Sequence, residues 1–137
     1  MTELSVIVPT YKERGNVAEL VRRLDDALAG IAWEAIYVDD NSPDGTAEAV
    51  KEIAARDPRV RCLKRVGRRG LAGACIEGIL SSAAPYVAVI DADLQHDEKV
   101  LPAMLARLKA GDTDLVAGTR YVEGGSAASF SQKRGTL

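Results

Sequence analysis

Two aspartates separated by a single residue, Asp91 and Asp93, close an apolar run that reads Tyr86-Val87-Ala88-Val89-Ile90. Such a run is what a strand covered on both faces looks like. Acids at the carboxyl end of that kind of strand stand where open α/β sheets bind ligands. Together with the amide of Gln95, the two carboxylates offer hard oxygen ligands that suit Mg²⁺ or Mn²⁺. An ion held there would bridge to something anionic, and a diphosphate is the natural candidate. A single acid at a strand end more often just ends the strand or caps the next helix. A second acidic strand end upstream weighs against that plainer account.

The second site is Ala35-Ile36-Tyr37-Val38 running into Asp39 and Asp40, followed by Asn41-Ser42-Pro43-Asp44-Gly45-Thr46. The turn residues have an ordinary use. Asp44 or Ser42 is placed to cap the helix that follows, and Gly45 eases the turn. Capping needs one acid only, so Asp39 and Asp40 are left without a structural duty. Both are expected on the sheet edge that carries Asp91 and Asp93. An acid in such a cleft can accept hydrogen bonds from ribose hydroxyls or from a base N–H.

With these residues set out, the chain resembles the amino-terminal part of a family 2 glycosyltransferase with the GT-A fold. Within that family it is most similar to the dolichol-phosphate (polyprenyl-phosphate) mannosyltransferases. The matching segments run in order: Val8 to Glu13, Val38 to Thr46, Gly70 to Ala74, Asp91 to His96, then Gly118-Thr119-Arg120-Tyr121 with Gly124-Gly125. Lys12 departs from the Asn that relatives often carry, and Asp97 follows His96 where a Pro is common. The resemblance implies that Pro9, Tyr11, Glu13, Val38 and Asp40 surround the nucleotide base and ribose. It implies that Asp91, Ala92, Asp93, Gln95, Arg120 and Arg134 hold the rest of the donor, with Asp91, Asp93 and Gln95 as ligands of Mg²⁺ or Mn²⁺. Asp93 and Arg120 are the expected catalytic pair. The implied donor is a nucleotide sugar, most often GDP-mannose and alternatively a UDP-sugar; the implied acceptor is a lipid phosphate, glycosylated with inversion.

The elements that must position these residues alternate strand and helix, as in a mostly parallel α/β sheet with helices on both faces. Strands are expected at Leu4–Val8, Ala35–Val38, Val60–Leu63, Tyr86–Ile90 and Leu115–Ala117. Apolar stripes at helical spacing are Val17/Leu20/Val21/Leu24/Leu28, Ala47/Val50/Ile53, Ala72/Cys75/Ile76/Ile79 and Leu101/Met104/Leu105/Leu108. The first strand leads into Pro9-Thr10-Tyr11-Lys12-Glu13 rather than glycines, which disfavours a Rossmann-type dinucleotide enzyme. Gly67 to Gly73 precedes a helix and could cradle an anion, or could equally be a plain connection. His96, the only histidine, reads as a residue at the start of a helix.

Length and composition bound the rest. A chain of 137 residues with 47% apolar content suits one small domain, and a net charge of −2 argues against a nucleic-acid partner. Residues 1–122 read as the donor-binding domain and 123–137 as the start of a Gly/Ser-rich acceptor-side loop. The stop at Leu137 reads as a fragment, a truncated gene product or an engineered piece, so an incomplete nucleotide-sugar-binding module is the competing function. Cys62 and Cys75 lack metal-ligand spacing and read as reduced, buried thiols of an intracellular protein. A place in the cytoplasm at the face of a membrane is expected, with peripheral membrane contact and self-association through apolar surface left uncovered.

Overall fold

The computed structural model describes residues 1–95 and 97–111. Four strands, β1 (Leu4–Thr10), β2 (Trp33–Asp39), β3 (Val60–Lys64) and β4 (Tyr86–Val89), form one sheet in the order β3-β2-β1-β4. Every neighbouring pair is parallel. Helices α1 (Val17–Ala27), α2 (Thr46–Ala54), α3 (Leu71–Leu80) and α4 (Leu101–Lys109) connect or follow them, with single 3-10 turns at Arg14–Asn16 and Glu98–Val100. The order reverses between β1 and β4, and in open α/β sheets the crevice at such a reversal is where ligands bind. The expected strand at Leu115–Ala117 and the division at residues 122 and 123 lie outside the described residues.

Alternation along the strands sends side chains to two cores. Leu4, Val6 and Val8 of β1 pack with Ala35 and Tyr37 of β2 against Val17, Leu20 and Leu24 of α1, and with Val50, Leu101 and Leu105. On the other face, Ile7, Ile36, Val38 and Val89 pack on Ala74 of α3. Crossovers to successive parallel strands are right-handed, so reversing direction across the sheet puts α3 on the opposite face from α1. Burial pushes the Cys62 and Cys75 thiols above their ordinary range, although both side chains are only partly buried.

Strand β1 outruns its expected end by two residues, because Pro9 and Thr10 stay in register with Val38 and Asp39 of β2. Its pairing with β4 stops at Ile7–Val89, with a last bond from the Ile90 N–H to the Ile7 carbonyl. Pro9 therefore sits where β1 and β4 have parted and its missing N–H has no ladder partner to lose. The expected stripe on α3 is corrected. Ala74 and Gly78 are its buried residues, whereas Ile76 is 57% exposed and Ile79 39%. A helix whose only charged residue is Glu77 shows its phase weakly in periodicity, and the position that faces the sheet here is a glycine. A Cβ on Gly78 would lie 2.4 Å from Ile7 Cγ2 and 3.0 Å from Val38 Cγ2.

Replacing Gly78 with Ala gains helix propensity but drives a methyl into a packed sheet. Gly78→Ala is expected to lower unfolding free energy by about 1–3 kcal/mol, the usual range for overpacking. Urea denaturation of the two proteins measures it; equal or higher stability would show that α3 can move off the sheet without cost.

Candidate active site

Asp39, the last residue of β2, is fully buried. Its carboxylate accepts from the Thr10 hydroxyl at 2.8 Å, the Ser42 hydroxyl at 2.6 Å and the Ser42 N–H at 2.9 Å. The Lys12 N–H donates in turn to Ser42 Oγ at 2.9 Å, and the Glu13 N–H donates to Thr46 Oγ1 at 3.0 Å. Asp39 thus has a structural duty that the sequence did not suggest: it ties the turn after β1 to the turn after β2. Neither cap candidate takes the N-cap of α2, which is Gly45; Asp44 stands just before it and accepts from the Thr46 N–H, while Ser42 serves Asp39. The hydrogen bond from the Thr46 hydroxyl, aided by the Arg14 and Thr46 amides, holds the Asp44 carboxyl below its usual range.

Asp40, one residue on, faces the other way. Its Oδ2 accepts from the Gly70 N–H at 2.9 Å, at the start of α3. Its Oδ1 lies 3.2 Å from Arg65 Nη1 but off the N–H axis, so that buried oxygen is charge-compensated without a hydrogen bond. Asp40 lines two adjoining cavities. One, of about 150 Å³, is walled by Pro9, Thr10, Tyr11, Leu71 and Ala74. The other, of about 180 Å³, is walled by Asn41, Gly67, Arg68 and Arg69. Tyr11 is 41% exposed, with the Arg69 guanidinium 4.5 Å and the Lys12 ammonium 5.4 Å from its ring centre.

Pro9, Tyr11 and Asp40 are therefore brought together as expected. Val38 is not: its side chain is buried in the core beneath α3, leaving only its backbone near the edge. Glu13 borders neither cavity, and its Oε1 accepts from Asn16 Nδ2 at 2.9 Å.

Past β4, Ala92 is buried in the main core while Asp91 and Asp93 on either side of it are partly exposed. The Asp91 charge reaches the α3 side, where it adds to the effect of burial in raising the Cys75 thiol. Asp93 Oδ1 accepts from the Gln95 N–H at 3.0 Å. Gln95 lines a different cavity, of about 840 Å³, with Arg22, Arg23, Asp97 and Glu98. Among the described residues no group of three or more His, Cys, Asp or Glu is placed to hold a metal. Two carboxylates fit the kind of site where Mg²⁺ keeps waters and takes its remaining oxygens from a bound phosphate. Arg120, Arg134 and His96 lie outside the described residues. Arg65, unremarked in the sequence, is the charged residue that the fold brings to Asp40; its signal was an Arg directly after a strand, ahead of the closely spaced glycines Gly70 and Gly73.

The sequence model of glycosyl transferase family 2 matches residues 5–136. The chain belongs to this family. It is 41% identical over 128 residues to the dolichol-phosphate mannosyltransferase of Pyrococcus furiosus, covering 93% of this chain and 36% of that protein. It is 38% identical to the Saccharomyces cerevisiae enzyme of the same name, covering 89% of this chain and 46% of the relative. The chain thus spans less than half the length of these two relatives. Among solved structures, the mannosyltransferase PcManGT of Pyrobaculum calidifontis, in complex with GDP-Man and Mn²⁺, superposes with a TM-score of 0.66 at 25% identity, covering 85% of this chain and 34% of that one. The Mycobacterium tuberculosis glucosyl-3-phosphoglycerate synthase matches in fold with a TM-score of 0.64 at 19% identity, over 81% of this chain and 41% of that one. The architecture is that of the GT-A glycosyltransferases.

Removing Asp39 strands three donors in a buried edge. Asp39→Ala is expected to lose about 2–4 kcal/mol of stability on that account, measured by thermal or urea unfolding. A loss under 1 kcal/mol would mean that water satisfies those donors and that Asp39 is no keystone.

Proposed function

We propose that this chain forms the donor-binding part of an enzyme that moves mannose from GDP-mannose to a dolichyl or polyprenyl phosphate. The observation that carries the reading is the common edge on which Asp40 and the Asp91–Asp93 pair stand, across the point where β1 and β4 part. The curated relatives, named for this transfer, support the choice of acceptor and sugar. The complex of PcManGT with GDP-Man and Mn²⁺ supports the donor and the metal class.

In this reading Asp40 Oδ1, buried and without a hydrogen bond, accepts from a base N–H, and Tyr11 with Pro9 supplies apolar contact beside it. Asp91 and Asp93 would hold a divalent ion, which when bound offsets the charge that grows on the departing diphosphate. Arg120 and Arg134 are proposed to add positive charge to the same phosphates. The acceptor phosphate is ionised near neutral pH, so an oxygen of it can attack the anomeric carbon without a strong general base. A new C–O bond forms as the bond to the diphosphate oxygen breaks, the electron pair leaves with GDP, and in-line attack inverts the anomeric centre. The proposed acceptor is a lipid, which supports a reaction at a membrane surface; its cytoplasmic face is the side proposed. The exposed Leu71, Ile76 and Leu80 on and beside α3 support contact with a lipid surface or self-association. No helix among the described residues is long and apolar enough to cross a membrane.

Two measurements test this. Isothermal calorimetry of the chain with GDP should show binding in Mn²⁺ that EDTA weakens strongly. Asp93→Ala should lose at least tenfold in Mn²⁺, on the order of one charge-assisted contact, and change little in EDTA. Equal affinity of mutant and wild type in Mn²⁺ would remove Asp93 from the metal site. Transfer of radiolabelled mannose to a short polyprenyl phosphate is expected to be very slow for this chain by itself, since it spans less than half the length of the relatives named for that transfer. Label delivered from a UDP-sugar and not from GDP-mannose would overturn the donor assignment.

A further inference from the structure

We propose that Arg65 is a positioning residue for nucleoside recognition, acting on the ligand only through Asp40; the inference rests on the donor-binding reading above. Arg65 follows β3 directly and is 4% exposed. Its N–H donates to the Asp39 carbonyl at 2.7 Å, which fixes its backbone to the end of β2. Its guanidinium then reaches three residues. Nη1 donates to the Gly70 carbonyl at 3.0 Å and stands 3.2 Å from Asp40 Oδ1, while Nε stands 3.0 Å from Glu77 Oε2. Glu77 is also held by Arg68, through contacts of 2.9 and 3.1 Å.

A buried guanidinium is costly unless its charge is met and its donors are used. Here the charge is met by two carboxylates, yet neither ion-pair contact is aligned: Asp40 Oδ1 and Arg65 Nε are both buried without a hydrogen bond. A contact serving stability alone would gain by aligning them. The arrangement instead pins Asp40 Oδ2 on the Gly70 N–H and leaves Oδ1, buried in the unliganded chain, as an acceptor without a hydrogen bond in a residue that lines both cavities. Carboxylate rotation is blocked from one side by Gly70 and from the other by Arg65. The oxygen so placed suits a base that presents N–H donors, and hydrogen-bond sites of this kind discriminate strongly because an unmatched ligand leaves a buried group unpaired. Space for the device comes from Gly73, where a Cβ would sit 2.9 Å from Arg65 Nη2.

The test is a double-mutant cycle in the full 137-residue chain, with Mn²⁺ present. Arg65→Lys keeps the charge but lacks the fork that spans Gly70, Asp40 and Glu77. It is expected to weaken GDP binding roughly 10- to 100-fold, the worth of one charge-assisted hydrogen bond, and to leave the affinity for inorganic diphosphate unchanged. Asp40→Asn should weaken GDP alike, and the double mutant should lose little more than either single one. Gly73→Ala, which displaces the guanidinium without removing a charge, should weaken GDP at an unchanged melting temperature; it keeps the test decisive if Arg65→Lys fails to fold. Additive losses in the cycle, equal losses of GDP and inorganic diphosphate, or wild-type GDP affinity in Gly73→Ala would each overturn the role of Arg65. A wild-type chain that binds UDP in place of GDP overturns the donor reading instead, and the same cycle run with UDP then decides Arg65. Binding of neither nucleotide by the wild type overturns both.

Discussion

A methyl group on Gly78 would stand 2.4 Å from Ile7 Cγ2, so the seat of α3 on the sheet depends on a side chain that is not there. Ile7 and Val38 lie in adjacent strands, and α3 rests on both while covering its face of the sheet. The close approach sets the height of the helix's amino-terminal turn above the carboxyl edge. Gly70 can then give its N–H to Asp40 and its carbonyl to Arg65, and Ala74 and Leu71 can wall the cavity beside Pro9 and Tyr11. A larger residue at position 78 would lift α3 and open that edge before touching any residue of the site.

The neighbouring acids Asp39 and Asp40 divide the remaining work by pointing to opposite sides of one strand. Asp39 turns toward Thr10 and Ser42 and joins two loops, so its oxygens are spent inside the protein. Asp40 turns toward α3 and keeps one buried oxygen uncommitted. Among the described residues, the three non-glycine residues with positive φ, Lys12, Asn41 and Leu94, at +57° to +63°, all lie in the turns at this same edge. Each left-handed residue costs about 1 kcal/mol, less for Asn, whose short polar side chain tolerates the conformation. The bonds from the Lys12 N–H to Ser42 and from the Gln95 N–H to Asp93 help hold the first and last of these turns. Strain gathered on one edge is characteristic of sites where backbone must present groups outward.

Much of the fold was legible along the chain. Alternating strand and helix patterns, both acidic strand ends and the buried stripes of α1, α2 and α4 agree with the structure, because each depends on local periodicity and burial. The stripe of α3 was misread for a physical reason. A helix apolar everywhere but at Glu77 carries little phase, and its contact position is a glycine, which weighs little in any count of apolar side chains. The role of Asp39 was hidden because its partners, Thr10 and Ser42, come from separate turns that pairing of β1 with β2 brings together. Gln95 follows Asp93 by two residues in the chain and borders the cavity beside Arg22 and Arg23 of α1.

Local sequence determined a parallel α/β fold with carboxylates at two strand ends, since strand ends and their acids are set by neighbours a few residues away. The tertiary structure alone decided that Asp39 is fully hydrogen-bonded inside the protein and that Asp40 keeps one oxygen without a hydrogen bond. That choice rests on contacts between segments far apart in the chain, Arg65 and Gly70 with Asp40, Thr10 with Asp39, and α3 with β1. The physical reason is that a buried polar atom is satisfied or left unsatisfied by the geometry of three-dimensional neighbours, which residue type and spacing do not encode.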